Sequence, residues 1–226
     1  MTSPAEFRRK FLQTEAQQTT EFQKSLDAHR AQAEQLRANA TEQLQRIAGR
    51  KELTPEARRT AAARVYKPSR EQLNQMLDEH IGMIKQHKQA LARKAFGSDN
   101  AADPATAMMR RQARQQARAI EHPRDARDLL QEARFDGDIH LARAIAGVAF
   151  ENGWHDIVDE WNADGSNNAY MKHVMELQQL PDTDDMQWRF NTAASFVPPE
   201  CGPDLVGLRD GEISNAAAGE WGGDAA

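Results

Sequence analysis

The stretch Leu44-Gln45-Arg46-Ile47-Ala48-Gly49-Arg50-Lys51-Glu52-Leu53-Thr54-Pro55-Glu56 decides the fold. It holds a helix stop and a helix start a few residues apart. Gly49 ends one helix, because glycine leaves a helix C-terminus at little steric cost. Thr54 is a good N-cap, and Pro55 falls at the first helical position, where its missing N–H is not needed. Leu53, just outside the cap, is placed to act as a hydrophobic staple. So short a connection turns the chain back, and the helices on either side run antiparallel.

Upstream, residues 4–48 contain no glycine and only Pro4, which suits a helix start. Leu26, Ala33, Ala40 and Ile47 recur every seven residues, and Phe11, Phe22, Ala33 and Leu44 every eleven. Either period gives a narrow apolar stripe on a polar helix, a coiled-coil-like seam. Downstream the helical pattern runs to Phe96, with Leu77, Ile84 and Leu91 seven apart, until Gly97-Ser98-Asp99-Asn100 stops it. Pro68 predicts a kink, or a restart with Ser69 and Gln72 as a capping box. With the fold-back centred near residue 51, Phe22 faces Ile81, Leu26 faces Met76 and Phe11 faces Leu91. The seam is therefore read as Phe11, Phe22, Leu26, Leu36, Leu44, Leu77, Ile84 and Leu91. At the rise of an α-helix the hairpin would be roughly 65 Å long.

Charge divides the chain by position. Residues 1–130 hold 24 Lys/Arg against 16 Asp/Glu, and residues 131–226 hold 5 against 18. The net charge of −5 conceals this split. Such asymmetry predicts partners found by electrostatics. Hydrophobic residues are 39% and aromatic residues 6%, which fits long exposed helices better than one large core. Cys201 is the single cysteine, so an intrachain disulfide is excluded and a reducing, cytoplasmic setting is expected. No signal core or membrane span is read from the sequence, and a soluble chain is expected.

The whole is predicted to be all-α in four parts. Residues 1–97 form the basic hairpin. Residues 98–122 form a linker and an arginine-rich helix that begins at Asp103-Pro104 and ends at Pro123. Residues 123–196 form an acidic helical bundle with helices over 125–135, 139–152, 155–163, 168–179 and 184–194. Residues 197–226 form an extended or disordered tail.

Candidate sites are few. Arg110, Arg114 and Arg118 repeat every four residues, and Arg111 lies beside them. This face could bind anions, including nucleic-acid phosphates, through charge alone. It could equally be a solvated face or dock on acidic protein surface. No aromatic residues interleave with the arginines to stack on bases. Glu151, His155 and Asp159 share a four-residue spacing that could hold a cation, but Asn152-Gly153 breaks the helix that would align them. Trp154, Val158 and Trp161 share a helical face, best read as core. His80 and His87 lie near the seam, where histidines can sense pH. No motif supplies a nucleophile with its base, a P-loop or a dinucleotide fingerprint. No cofactor and no enzymatic activity are expected.

Four stretches carry a resemblance: Phe7-Arg8-Arg9-Lys10-Phe11-Leu12, Leu53-Thr54-Pro55-Glu56-Ala57-Arg58-Arg59, Gly137-Asp138-Ile139-His140-Leu141-Ala142-Arg143-Ala144-Ile145-Ala146, and the segment from Val197-Pro198-Pro199 to Ile213. Together they resemble uncharacterised helical proteins of actinobacterial phages and prophages, encoded in or near virion genes. The resemblance implies a structural or assembly role in the particle, with capsid or portal components among the partners, and the charge split predicts contacts between copies of the chain. The rival expectation is nucleic-acid binding by the basic hairpin and the arginine helix.

Overall fold

The computed structural model describes residues 4–97 and 103–220, with side chains described from residue 21 onward. Among these residues every regular element is a helix. The elements are α1 (Pro4–Ala48), α2 (Pro55–Phe96), α3 (Pro104–Arg118), α4 (Pro123–Phe135), α5 (Ile139–Glu151), α6 (His155–Trp161), α7 (Asn168–Gln179), α8 (Met186–Ala193), a 3-10 turn (Ala194–Phe196) and α9 (Asp210–Ala218). The fold class is all-α, as the periodicity predicts. No helix among the described residues is long and apolar enough to cross a membrane.

The caps explain most of the boundaries. The Thr54 hydroxyl accepts from the Ala57 N–H at 3.2 Å and opens α2. Asp103 opens α3 by accepting from the N–H groups of Ala105 and Thr106, at 3.2 and 3.0 Å. Asp138 does the same for α5, accepting from His140 and Leu141. Gly137 and Gly153, at φ +71° and +73°, take the left-handed conformation needed to leave α4 and α5 abruptly.

Two boundaries differ from expectation. α2 runs unbroken past Pro68, so no restart occurs at Ser69. Proline has no N–H for the preceding turn. The Ser69 hydroxyl instead donates to the Val65 carbonyl at 2.7 Å, adding a bond to the turn that the proline leaves short. α3 ends at Arg118, not at Pro123. Pro123 opens α4 at the first helical position, where a proline loses nothing.

The chain forms two compact units, and it passes from one to the other within α2, after Ile84. One unit holds residues 4–16 and 85–181 of the described chain. Its centre is α5, whose Leu141, Ala142, Ile145, Ala146 and Ala149 are all buried. A helix apolar on so many sides must be surrounded, and the end of α2 and helices α3, α4, α6 and α7 supply the cover. Trp161 is 3% exposed and Val158 1%, so this pair is core, with Trp154 packed at its edge.

The other unit holds residues 17–84 and 182–220 of the described chain. Here α1 and α2 meet in opposite senses. Leu44 clusters with Ala62 and Ala63, Ala33 with Leu73 and Met76, and His29 pairs with Glu79 at 3.6 Å. The fold-back in this unit therefore centres nearer residue 54 than residue 51. Size matching explains the slip. Each alanine sits in a cluster with a large partner, so side-chain volumes set the register and not apolar character alone.

The extended tail expected over 197–226 is a correction for residues 197–220. This segment turns, forms α9 and is covered by the hairpin: Leu205 is 1% exposed, Ile213 6% and Ala216 1%. Phe196 is buried with Ala33, Leu73 and Met76. Residues 221–226 lie outside the described residues. The physical reason is a shortage of volume. A seam of alanines buries little by itself, and a third layer from the C-terminal segment supplies the missing apolar cover.

Candidate interaction site

The expected seam residues differ in their surroundings. Leu26, Leu44, Ile84 and Leu91 are buried, Leu36 and Leu77 pack at the edge of the Ala33 cluster, and Phe22 is half-buried. Leu91 joins the core around α5. The Phe11 side chain lies outside the described residues.

The seam also holds a polar element. His80 is fully buried, and both of its ring nitrogens lack a hydrogen-bond partner among the described residues. Its ring lies 5.7 Å from that of His29 and 5.2 Å from that of Phe196. Burial pushes the His80 pKa down to about 4, with further depression from Arg30 and His29 and a small opposing pull from Asp27. His87 is depressed by burial too, against the pull of Glu176.

Much of the charge split is consumed inside the chain. Arg58 reaches Asp204 at 3.2 Å, and Arg59 donates to the Asp204 carbonyl at 3.3 Å. Arg64 donates to the Ala217 carbonyl at 2.9 Å. Arg70 grips Asp210 with two bonds, at 2.6 and 2.8 Å, which holds the Asp210 carboxyl below its ordinary range. Around α5, Arg127 engages Asp156 and Glu160, and Arg134 engages Asp164. The first part of α2, from Arg58 to Arg70, thus binds the C-terminal segment. Reading the positive and negative halves as separate surfaces misses these arginines. The signal was a run of arginines on α2 with Asp204 and Asp210 in a Gly/Pro-rich segment.

Helix α3 is different. Arg111, Arg114 and Arg118 are exposed and have no side-chain partner among the described residues. Arg110 is half-buried and engaged. Arg111, Arg114 and Arg118 line one concavity, whereas the four-residue spacing had aligned Arg110 with Arg114 and Arg118. Arg114 and Arg118 also reach an adjoining groove of about 310 Å³, where Arg93 and Glu151 join the rim and Phe96, Ala144 and Val148 supply apolar lining.

The groove is firmly built. Arg143 donates to the carbonyls of Ala95 and Lys94, both at 3.0 Å, and its guanidinium lies 4.0 Å from the Tyr170 ring centre. It thereby satisfies carbonyls at the end of α2 that would otherwise lack donors. Gly147 admits Phe96, since a Cβ there would stand 3.2 Å from the Phe96 Cβ. Phe96 is committed to ring contacts with Phe150 and Trp161, at 5.5 and 6.0 Å.

Beside these charges stand exposed apolar side chains. Phe135 is 93% exposed and Ile139 72%, flanking the exposed Asp136 and Asp138 in the α4–α5 turn. Met186 and Phe190, one turn apart on α8, are 84% and 78% exposed. Sequence reading passed over both pairs, because a large apolar residue at an element end looks like core until its neighbours are placed. The spacing of Glu151, His155 and Asp159 does not survive folding. Glu151 ends α5, His155 opens α6, and the turn at Gly153 separates them.

Comparison of the chain with protein-family models, with curated proteins and with solved structures finds no match.

Proposed function

We propose that the chain is a non-enzymatic structural or assembly protein that works through helix-mediated protein–protein contacts, including contacts with further copies of itself. The observation that carries this reading is the exposure of Phe135, Ile139, Met186 and Phe190, each above 70%. Large apolar side chains left in water in adjacent pairs are interaction surface more often than incidental exposure. The resemblance of the sequence to phage and prophage proteins is what supports virion assembly as the setting, with capsid or portal proteins as the further partners of this reading. Sedimentation velocity over a concentration series, at low and high salt, tests the self-association. Growth of the sedimentation coefficient with concentration is expected, and a monomer under every condition overturns it.

A second reading, binding of a nucleic-acid backbone, draws on the three exposed arginines of α3, which have no partner among the described residues. Phosphate contacts need only such charge. Against it, Phe96 is locked into an aromatic cluster and offers no stacking face, and the chain carries a net charge of −5. A mobility shift of single-stranded DNA at low salt, lost in Arg111→Glu/Arg114→Glu/Arg118→Glu, would favour it. No shift at low salt removes it.

A further inference from the structure

We infer that the arginine-rimmed groove beside α5 receives the Phe135–Ile139 turn of a second copy of the chain, joining copies head to tail. The inference rests on the assembly reading above and names its surface.

The groove asks for an occupant that is acidic and apolar at once. Its rim carries Arg93, Arg114 and Arg118 against the single carboxylate of Glu151, and Phe96 and Val148 give it an apolar lining. A bare polyanion would satisfy the rim and leave the lining wet. The turn Phe135-Asp136-Gly137-Asp138-Ile139 answers both requirements, with two protruding apolar side chains and two exposed aspartates within five residues. Asp138 caps α5 as an acceptor and stays exposed to solvent. Desolvating such side chains inside a charged rim is how small contacts gain both affinity and orientation.

Both parts belong to the same compact unit, so their separation is fixed. The turn stands at the start of α5, and the groove runs beside its second half, from Ala144 to Glu151. Ile139 and Val148 are about 13 Å apart along the helix. One chain therefore cannot seat its own turn in its own groove. A contact in which a knob and a socket lie on different faces is heterologous, and it leaves a free knob and a free socket at the two ends of any chain of copies.

Sedimentation velocity on the full chain tests this, with Arg114→Glu/Arg118→Glu as a groove variant, Phe135→Ser/Ile139→Ser as a knob variant, and their equimolar mixture. Thermal unfolding of each variant checks the fold, which should not change because all four side chains are exposed. Each variant alone should self-associate at least about tenfold more weakly than the wild type. The mixture should regain a dimer and stop there, since it contains one good knob and one good socket. Only folded variants can complement in this way. The inference is overturned if either variant still associates like the wild type, or if the mixture stays monomeric. It is also overturned if Met186→Ser/Phe190→Ser alone abolishes association, or if the groove variant loses only a DNA mobility shift. A wild type that is monomeric throughout instead overturns the assembly reading itself.

Discussion

Around α5, residues 85–181 bury a continuous apolar core. Ile145, Ala146 and Ala149 are fully covered, and Phe96, Phe150, Trp161 and Tyr170 touch ring to ring. Residues 17–84 and 182–220 bury alanines, a histidine whose two nitrogens have no partner among the described residues, and ion pairs that join positions as far as 146 residues apart. The first region closes on short local connections, and the second closes only when its two ends meet. Apolar burial explains most of the first, with Arg127, Arg134 and Arg143 adding polar ties at its edge. The second needs the C-terminal segment as a third layer, with arginines holding it down. Local contacts of the first kind form quickly, whereas the second must bear a long loop closure before its contacts form.

The largest effect should come from the aromatic core. Trp161→Ala removes a side chain 3% exposed and should destabilise residues 85–181 by about 3–5 kcal/mol. Hydrogen exchange should rise throughout α4, α5 and α6. Protection lost equally in α1 near Ala33 would show that the two regions unfold as one, and the comparison would break.

Leu205→Ala is the matching test in the other region. Leu205 is 1% exposed and shares a cluster with Leu44, Ala62 and Ala63. The expected cost is about 2–4 kcal/mol. Exchange should rise around Leu44 and Ala62 and stay unchanged in α5. An unchanged melting curve would mean that the C-terminal segment is not the third layer of the hairpin.

His80 sharpens the contrast through pH. Its folded pKa of about 4 lies below the ordinary 6.5, so the unfolded chain binds a proton more readily than the folded one. Stability contributed by the neutral ring is therefore whole above pH 6.5 and is lost as pH falls toward 4. The groups facing the ring are His29, Arg30 and Asp27 of α1, with Glu79 beside His29 and Phe196 across it. The loss should be roughly 2 kcal/mol, allowing for solvent screening. His80→Leu should flatten the slope of stability between pH 6.5 and 4, measured by urea unfolding. A slope that survives the substitution assigns it to other groups.

Legibility in the sequence followed the same division. The helices around α5 were readable because Gly137, Gly153 and Gly165 mark the turns and the apolar residues between them repeat at helical spacing. The turn at Gly49–Pro55 was readable for similar reasons. The C-terminal layer was not. Glu212, which accepts from the Arg209 N–H, and Gly219 form a cap and a stop, but a helix of nine residues is too short to hold in isolation whatever its composition. Its order comes from Phe196, Leu205 and Ile213 finding the seam, which is information held more than a hundred residues away. The arginine-rich character of α3 was legible. That Arg110 turns inward, and that Phe135 and Ile139 stand in water, depended on how neighbouring helices pack, which periodicity does not carry.

The smallest effects should come from the arginines that hold the third layer, and their order is informative. Arg58 and Asp204 are 24% and 14% exposed in their side chains, and Arg58 also donates to the Leu53 carbonyl at 3.1 Å. Arg58→Ala should cost about 1–2 kcal/mol, because the carboxylate it leaves is largely out of water. Arg70 makes the shorter bonds, at 2.6 and 2.8 Å, yet its partner Asp210 is 74% exposed. Water and salt replace most of what that pair supplies. Arg70→Ala should therefore cost less than Arg58→Ala despite its better geometry, and raising the salt concentration should erase its effect first. Urea unfolding of both variants at low and high salt decides the matter. If Arg70→Ala proves the more costly at both, bond geometry outweighs burial here, and the C-terminal layer is held by its ion pairs and not by Phe196, Leu205 and Ile213.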